Sequence, residues 1–246
     1  MRLAIISDIH SNLEALTAVL EDIEKRRADR VLCLGDVVGY GAEPGACLSE
    51  VRGRSDWILA GNHDWGAVGK VDLAYFNYSA RAAAEWTGGQ LAESERAFLS
   101  KLPLHRIWDG PEPSFLTVHS TPDRPHEWRY ILSIDEAEYQ FEQLQLPLCF
   151  VGHSHQPIVW RWEGPGKCSV AGREYLHIEP GKRYIVNVGS VGQPRDGDPR
   201  ASYGLYDRER QEVIIHKVEY NIAAAQQKIL RAGLPPRLAE RLAHGV

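Results

Sequence analysis

Apolar residues along this chain fall into short runs that stop abruptly at acids, amides and histidines. Arg2–Ile6 ends at Ser7-Asp8-Ile9-His10, Val31–Leu34 at Gly35-Asp36, and Trp57–Ala60 at Gly61-Asn62-His63-Asp64. Ser114–Val118 ends at His119, and Leu148–Val151 at Gly152-His153-Ser154-His155. Runs this short predict strands buried on both faces. Ser11-Asn12-Leu13-Glu14 matches a capping box, and Leu13, Leu16, Val19, Leu20 and Ile23 follow at helical spacing. A second helix is expected near Pro44–Val51, with proline in its first turn. Strand-helix alternation of this kind predicts right-handed crossovers, which gather the strand ends at one edge. In open α/β sheets that edge is where ligands bind.

The pattern changes between about 65 and 103. Tyr75 to Trp86 reads as a helix closed by Gly88-Gly89, and Glu93 to Leu102 as another. This segment is expected to be a helical insertion beside the strand ends. Its aromatics, Trp65 and Tyr75 among them, serve either core packing or a substrate wall. Leu104–Trp108 and Ser114–Val118 predict a hairpin around Asp109-Gly110-Pro111, and Asp135–Leu144 a helix. Beyond Pro157 the chain turns strand-rich: Ile158–Trp162, Glu174–Glu179, Arg183–Val188, Ser202–Tyr206 and Val213–Val218, an antiparallel or mixed sheet. Asn221–Ala232 and Arg237–Ala243 are expected as closing helices, so C-terminal helices cover about 221–244. No linker interrupts the pattern, and residues 1–246 are read as one domain.

Composition narrows the function classes. The 246 residues carry 43% hydrophobic and 25% charged residues, ordinary for a globular protein. A formal net charge of −5 argues against a large basic nucleic-acid surface but leaves room for a small local basic patch. No apolar stretch approaches membrane-spanning length, and Met1-Arg2 leads directly into a strand, so no membrane partner is expected. Cys33, Cys47, Cys149 and Cys168 form no CxxC pair, and Cys33 and Cys149 sit in strand-like runs. Buried free thiols point to a reducing compartment, and hence to the cytoplasm. Oligomeric state is not legible.

Collected, the strand-end residues are Asp8, His10, Asp36, Asn62, His119, His153 and His155. Singly, each is an ordinary turn residue. Jointly, three oxygen donors and four imidazoles are too nitrogen-rich for calcium and too oxygen-rich for a structural zinc finger. They suit two borderline divalent ions sharing a carboxylate. His63 could donate a proton or hydrogen bond to a developing negative charge, and Asp64 could accept from its other ring nitrogen.

In order and spacing these motifs resemble the calcineurin-like metallophosphoesterase superfamily, whose pattern is D-x-H, GD, GNH[DE], a lone H, and GHxH. The resemblance runs from Met1 to about Asp207. The strand end Asn187–Ser190 and the loop Gly192–Ala201 look like prokaryotic single-domain phosphoesterases. It implies an α/β fold, a four-layer αββα sandwich of two mixed sheets. It also implies two divalent metal ions, whose identity the sequence does not fix; mixed His/Asp/Asn sites accept manganese, iron or zinc, and also cobalt or nickel. Asp8, His10 and His155 would hold one, Asn62, His119 and His153 the other, with Asp36 between them. The implied reaction is hydrolysis of a small phosphodiester or phosphomonoester by in-line attack of a metal-bridging hydroxide, aided by His63 and Asp64. A non-catalytic metal-binding scaffold of the same fold, or a nuclease, are the alternatives. Relatives that are protein phosphatases carry GDxxDRG and GNHE. Here Tyr40 replaces that arginine and Asp64 the glutamate, which disfavours a protein phosphatase. His119 is followed by Ser120 where many relatives have glycine, and only a small backbone adjustment is expected there. Arg195, Arg200 and Arg124 are candidate contacts for the substrate's anionic group.

Overall fold

A computed structural model describes residues 1–109 and 114–246. The chain opens with a parallel alternation of β1 (Arg2–Ile6), α1 (Leu13–Lys25), β2 (Arg30–Cys33), α2 (Pro44–Arg54) and β3 (Trp57–Ile58). Three helices follow, α3 (Asn62–Ala67), α4 (Tyr78–Gln90) and α5 (Glu93–Ser100), with a 3-10 turn at Leu73–Tyr75. Next come β4 (His105–Trp108), β5 (Phe115–Val118), α6 (Ile134–Gln143) and β6 (Leu148–Val151). The later strands are β7 (Ile158–Trp162), β8 (Cys168–Gly172), β9 (Tyr175–His177), β10 (Arg183–Asn187), β11 (Ala201–Asp207) and β12 (Glu212–Val218). Helices α7 (Ile222–Arg231) and α8 (Pro236–Glu240) close the chain, with a 3-10 turn at Arg241–Ala243.

Two six-stranded mixed sheets result, ordered β3-β2-β1-β11-β12-β9 and β4-β5-β6-β10-β7-β8. Side chains alternate across a strand, and β1 uses both faces. Leu3 and Ile5 meet Phe115, Phe150 and Val186 of the other sheet, while Ala4 and Ile6 pack under Leu16 and Val19 of α1. Helix α6 covers the far side of the second sheet, with Ala137 and Phe141 over Cys149, Val151 and Ile185. The layers are therefore helix, sheet, sheet, helix. This explains why the first strand reads as unbroken apolar residues: neither of its faces meets water.

Several local expectations are corrected. The cap of α1 is Asn12, whose Oδ1 accepts from Ala15 N at 3.1 Å, not a capping box from Ser11. Ser11 is instead left-handed, with φ 54°, and belongs to the loop that carries His10. Gly88-Gly89 does not close α4, which runs on to Gln90. A Cβ on Gly88 would lie 2.7 Å from the Ala67 carbonyl, so this glycine permits close packing of α3 on α4. Tyr75 lies before α4, in the 3-10 turn, and α5 stops at Ser100 rather than Leu102. Helix α3 and strand β8 were not anticipated. Strands β4 and β5 pair antiparallel as expected, while Gly110-Pro111 of their connection lies outside the described residues. Among the described residues no helix is long and apolar enough to cross a membrane.

Candidate metal centre

All seven candidate donors sit just beyond strands that run parallel within their sheets: Asp8 and His10 after β1, Asp36 after β2, Asn62 after β3, His119 after β5, His153 and His155 after β6. The backbone is bent hard to aim them. Asp8, His10, Asp36, His153 and His155 have φ of 54°, 48°, 51°, 65° and 60°. Each left-handed non-glycine residue costs roughly 1–3 kcal/mol, and such strain persists only where the surroundings hold it. Here Asp8 N donates to Gly35 O and His10 N to Asp36 O, both at 3.0 Å. Two motif glycines make room. A Cβ on Gly61 would collide with Oδ1 of Asp36, and one on Gly152 with Ser7 Oγ and the Asp8 carboxylate.

Each carboxylate is divided between structure and site. Asp8 Oδ2 accepts from His153 N at 3.0 Å, and Asp36 Oδ1 from His63 N at 2.8 Å. Their other oxygens, Asp8 Oδ1 and Asp36 Oδ2, are buried with no hydrogen-bond partner among the described residues, as are Asn62 Oδ1 and His119 Nε2. Four imidazoles are anchored by backbone carbonyls. His10 Nδ1 faces Val38 O at 3.3 Å, His119 Nδ1 faces Leu34 O at 3.1 Å, and His155 Nδ1 faces Gln193 O at 2.6 Å. His153 is turned the other way, with Nε2 2.8 Å from Trp128 O. A carbonyl only accepts, so each of these nitrogens carries a hydrogen, and on His10, His153 and His155 the opposite nitrogen is left as a lone-pair donor.

The freed atoms form two groups, Asp8/His10/His155 and Asp36/His119/His153, whose donor atoms within each group lie within 4.8 Å of one another. Asp36 Oδ2 stands between them, 3.7 Å from His10 Nε2 and 3.3 Å from His119 Nε2. His10 Nε2 and His155 Nε2 point at each other across 3.1 Å. Burial alone would raise both acids, but the histidines outweigh it. His155 and His119 hold Asp8 below the usual carboxylate range, and His119 and His63 hold Asp36 well below it. Burial depresses His10, His155 and His153, the last to about 3. Burial also pulls His119 down, yet Asp36 and Asp8 prevail and raise it to about 9. Ionised acids, neutral imidazoles and one proton retained between two carboxylates describe a pocket built for cations. Oxygen donors with imidazole fit two divalent ions of the borderline class.

His63 lies beside this centre, its ring 4.9 Å from that of His10, 4.3 Å from Tyr40 and 4.8 Å from Phe76. Its expected contact with Asp64 is not formed. Asp64 Oδ2 accepts from Asp36 N and Gly61 N at 2.8 and 3.0 Å, and Oδ1 from Val38 N at 3.1 Å. His63 Nδ1 has no partner among the described residues. Asp64 is turned inward by three backbone donors that a loop without regular pairing must satisfy. It ties the Asp36 loop to the Gly61 turn. Burial and the Asp36 carboxylate push it up to about 7, against the pull of those donors.

A cleft of about 570 Å³ opens on His63, Asn62 and His153, walled by Tyr40, Tyr75, Phe76, Trp128 and Tyr130. Trp65 is not part of this wall; it packs edge-on against Trp128, ring centroids 5.6 Å apart. Of the three arginines, Arg195 comes nearest, its guanidinium 5.8 Å from the Tyr40 ring. Arg200 is locked on Asp198, Nη2 to Oδ2 at 2.6 Å, and Arg124 is exposed and pairs with Glu127 at 3.3 Å. None of the three is among the residues that line the cleft. Ser120 donates to Pro125 O at 3.0 Å. Sequence reasoning missed Tyr130, whose ring stacks on His153 at 4.1 Å, and Gln193, which anchors His155. The aromatic-rich stretch 126–130 held no spacing that marked it.

Known proteins resemble this chain over its whole length. A crystal structure of a metallophosphoesterase from Sphaerobacter thermophilus is 43% identical, with a TM-score of 0.88, and the match covers 100% of this chain and 99% of that one. A hypothetical protein from Pyrococcus horikoshii shares the fold at 20% identity and a TM-score of 0.80, over 100% and 98% of the two chains. An uncharacterised protein of Methanocaldococcus jannaschii is 42% identical over 245 residues, 98% of this chain and 96% of its own length. The sequence pattern of the calcineurin-like phosphoesterase superfamily domain matches residues 1–211, and with these relatives it indicates a metallophosphoesterase. The chain belongs to the calcineurin-like phosphoesterase superfamily.

Proposed function

We propose that the chain hydrolyses a small phosphodiester or phosphomonoester with two divalent ions, manganese, iron or zinc, held at this centre. The observation that carries the reading is the set of buried donor atoms left without protein partners and aimed at one another. Asp8, His10 and His155 would hold one ion, and Asn62, His119 and His153 the other, with Asp36 available to both. Bound there, two such ions supply positive charge to phosphoryl oxygens and lower the pKa of water. The chain's own residues do the rest. Burial keeps His63 neutral, at about 4 against the pull of Asp36, so it offers an N–H to charge developing on the phosphoryl group or the leaving oxygen. Arg195 supplies the cation for substrate that some relatives place at the position of Tyr40. Its Nη2 is held by Gln193 Oε1 at 2.8 Å, while Nε is buried without a partner among the described residues.

The test strips the protein of metal, titrates manganese and follows bis(p-nitrophenyl) phosphate. Turnover should appear as about two equivalents bind. His63→Ala should lose on the order of 10²–10³ in turnover at unchanged metal content. Failure to bind metal would end the reading; two bound ions without turnover would favour a scaffold.

A further inference from the structure

The cleft is larger than a phosphoryl group requires and its chemistry is uneven. About 570 Å³ falls in the range of sites for whole small molecules. Tyr40 and Phe76 flank His63, and Tyr130 lies parallel to the His153 ring, 12° from coplanar. Tyr75 is 88% exposed and Tyr130 45% exposed. Tyr130 lies on an irregular loop but is held by its stacking on His153, ring centroids 4.1 Å apart. Tyr75 ends a 3-10 turn that Asp72 caps through Ala74 N at 2.9 Å, and Asn77 caps the next helix through Ala80 N at 3.0 Å. Large aromatic faces held in the open beside a polar centre call for a ligand with an aromatic face of its own.

Charge distinguishes what that ligand carries. Asp72 and Glu127 line the cleft, and its one lysine, Lys70, donates to Ser100 O at 2.8 Å. Lys70 also sits over the Trp65 ring, 3.6 Å from its centroid. The outer cleft is therefore poorly suited to a second phosphate. Resting on the phosphoesterase reading, we propose that this cleft receives a nucleoside: the substrate is a phosphoester whose organic arm ends in a nucleobase, stacked against the Tyr75–Tyr130 side.

The test holds the scissile bond constant. Metal-loaded protein is given thymidine 5′-(p-nitrophenyl phosphate) and methyl p-nitrophenyl phosphate, which release the same phenolate. One stacked base should favour the thymidine ester about tenfold or more in kcat/KM. Tyr75→Ala should shrink that ratio about fivefold or more, and Tyr75→Phe should restore it, because the face and not the hydroxyl is used. Equal rates for the two esters would overturn the proposal and leave the phosphoesterase reading standing. So would an equal advantage for phenyl p-nitrophenyl phosphate, which would assign the effect to any aryl group. If neither ester is cleaved, calorimetry with thymidine 5′-phosphate and ribose 5-phosphate decides. Tighter binding of the nucleotide, by about tenfold, supports the cleft assignment without hydrolysis, and equal affinity ends it.

Discussion

Asp64→Asn separates the two roles that Asp64 could have. In the structure its carboxylate accepts from Asp36 N, Gly61 N and Val38 N at 2.8, 3.0 and 3.1 Å. Asparagine is nearly isosteric. Its carbonyl oxygen can keep the pair of donors from Asp36 and Gly61, but its amide then faces the Val38 N–H, donor against donor. One charge-assisted bond is lost and one buried N–H is left unmade, each about 1–3 kcal/mol. These overlap, so the expected cost is about 3 kcal/mol. For a chain of this size each kcal/mol moves Tm by about 2–4 °C, so a fall of about 6–12 °C is expected. Thermal melts with chelator and with manganese measure it, beside turnover of a chromogenic diester. Because the clamp fixes the backbone at Asp36, metal affinity should fall as well. A Tm within about 2 °C of the parent protein, with turnover collapsed, would refute the clamp and return Asp64 to the chemistry of His63.

Other predictions follow from the same geometry. Gly61→Ala keeps an allowed backbone, φ −104°, but drives a methyl into the Asp36 carboxylate, so it should cost about 1–3 kcal/mol in a melt and weaken metal binding in a titration. Arg195→Gln should raise KM roughly tenfold or more for an anionic ester while metal stoichiometry, read by atomic emission, holds at that of the parent. Chelation should lower Tm, because ligands that bind only the folded state stabilise it by about 4 kcal/mol at 1,000 times Kd, and restoring manganese should reverse the fall. Asp22 is held low: burial would raise it, but Arg26 Nε at 2.6 Å and Tyr203 Oη at 2.8 Å outweigh that. A depressed acid stabilises the fold above its unfolded pKa near 4 and loses that contribution as pH falls through the folded value, so Asp22→Asn should flatten the acid side of the stability curve.

What the sequence disclosed was what period and terminus chemistry can carry. Unbroken apolar runs such as Leu148–Val151 announced buried strands, and every candidate donor stood at the end of one. Orientation within loops was invisible. Ser11-x-x-Glu14 matches a capping box by letter, but the bend that aims His10 puts Ser11 at φ 54° and hands the cap to Asn12. Asp64 looked like a partner for His63 because it is next to it. On the short helix α3 successive side chains diverge by about 100°, so His63 turns to the cleft and Asp64 to the Val38 loop. Long-range partners were equally hidden. Gln193 anchors His155 from 38 residues away, and His153 reaches Trp128 over 25, neither marked by any local spacing.

The division of donors between the sheets explains why metal and fold should be coupled. Asp8, His10 and Asp36 come from the first sheet, and His119, His153 and His155 from the second. Each three-donor group draws on both: His155 joins Asp8 and His10, while Asp36 joins His119 and His153. An ion in either group would therefore clamp one sheet to the other at the edge where the apolar layer between them ends and buried polar atoms begin. Without a cation that edge holds two carboxylates with unpartnered oxygens and five backbone positions in the left-handed region. Isolated, those features oppose folding. Cations between the donors would convert the same buried charges into attractions, so the strain that aims the ligands would be sustained by the chemistry it makes available.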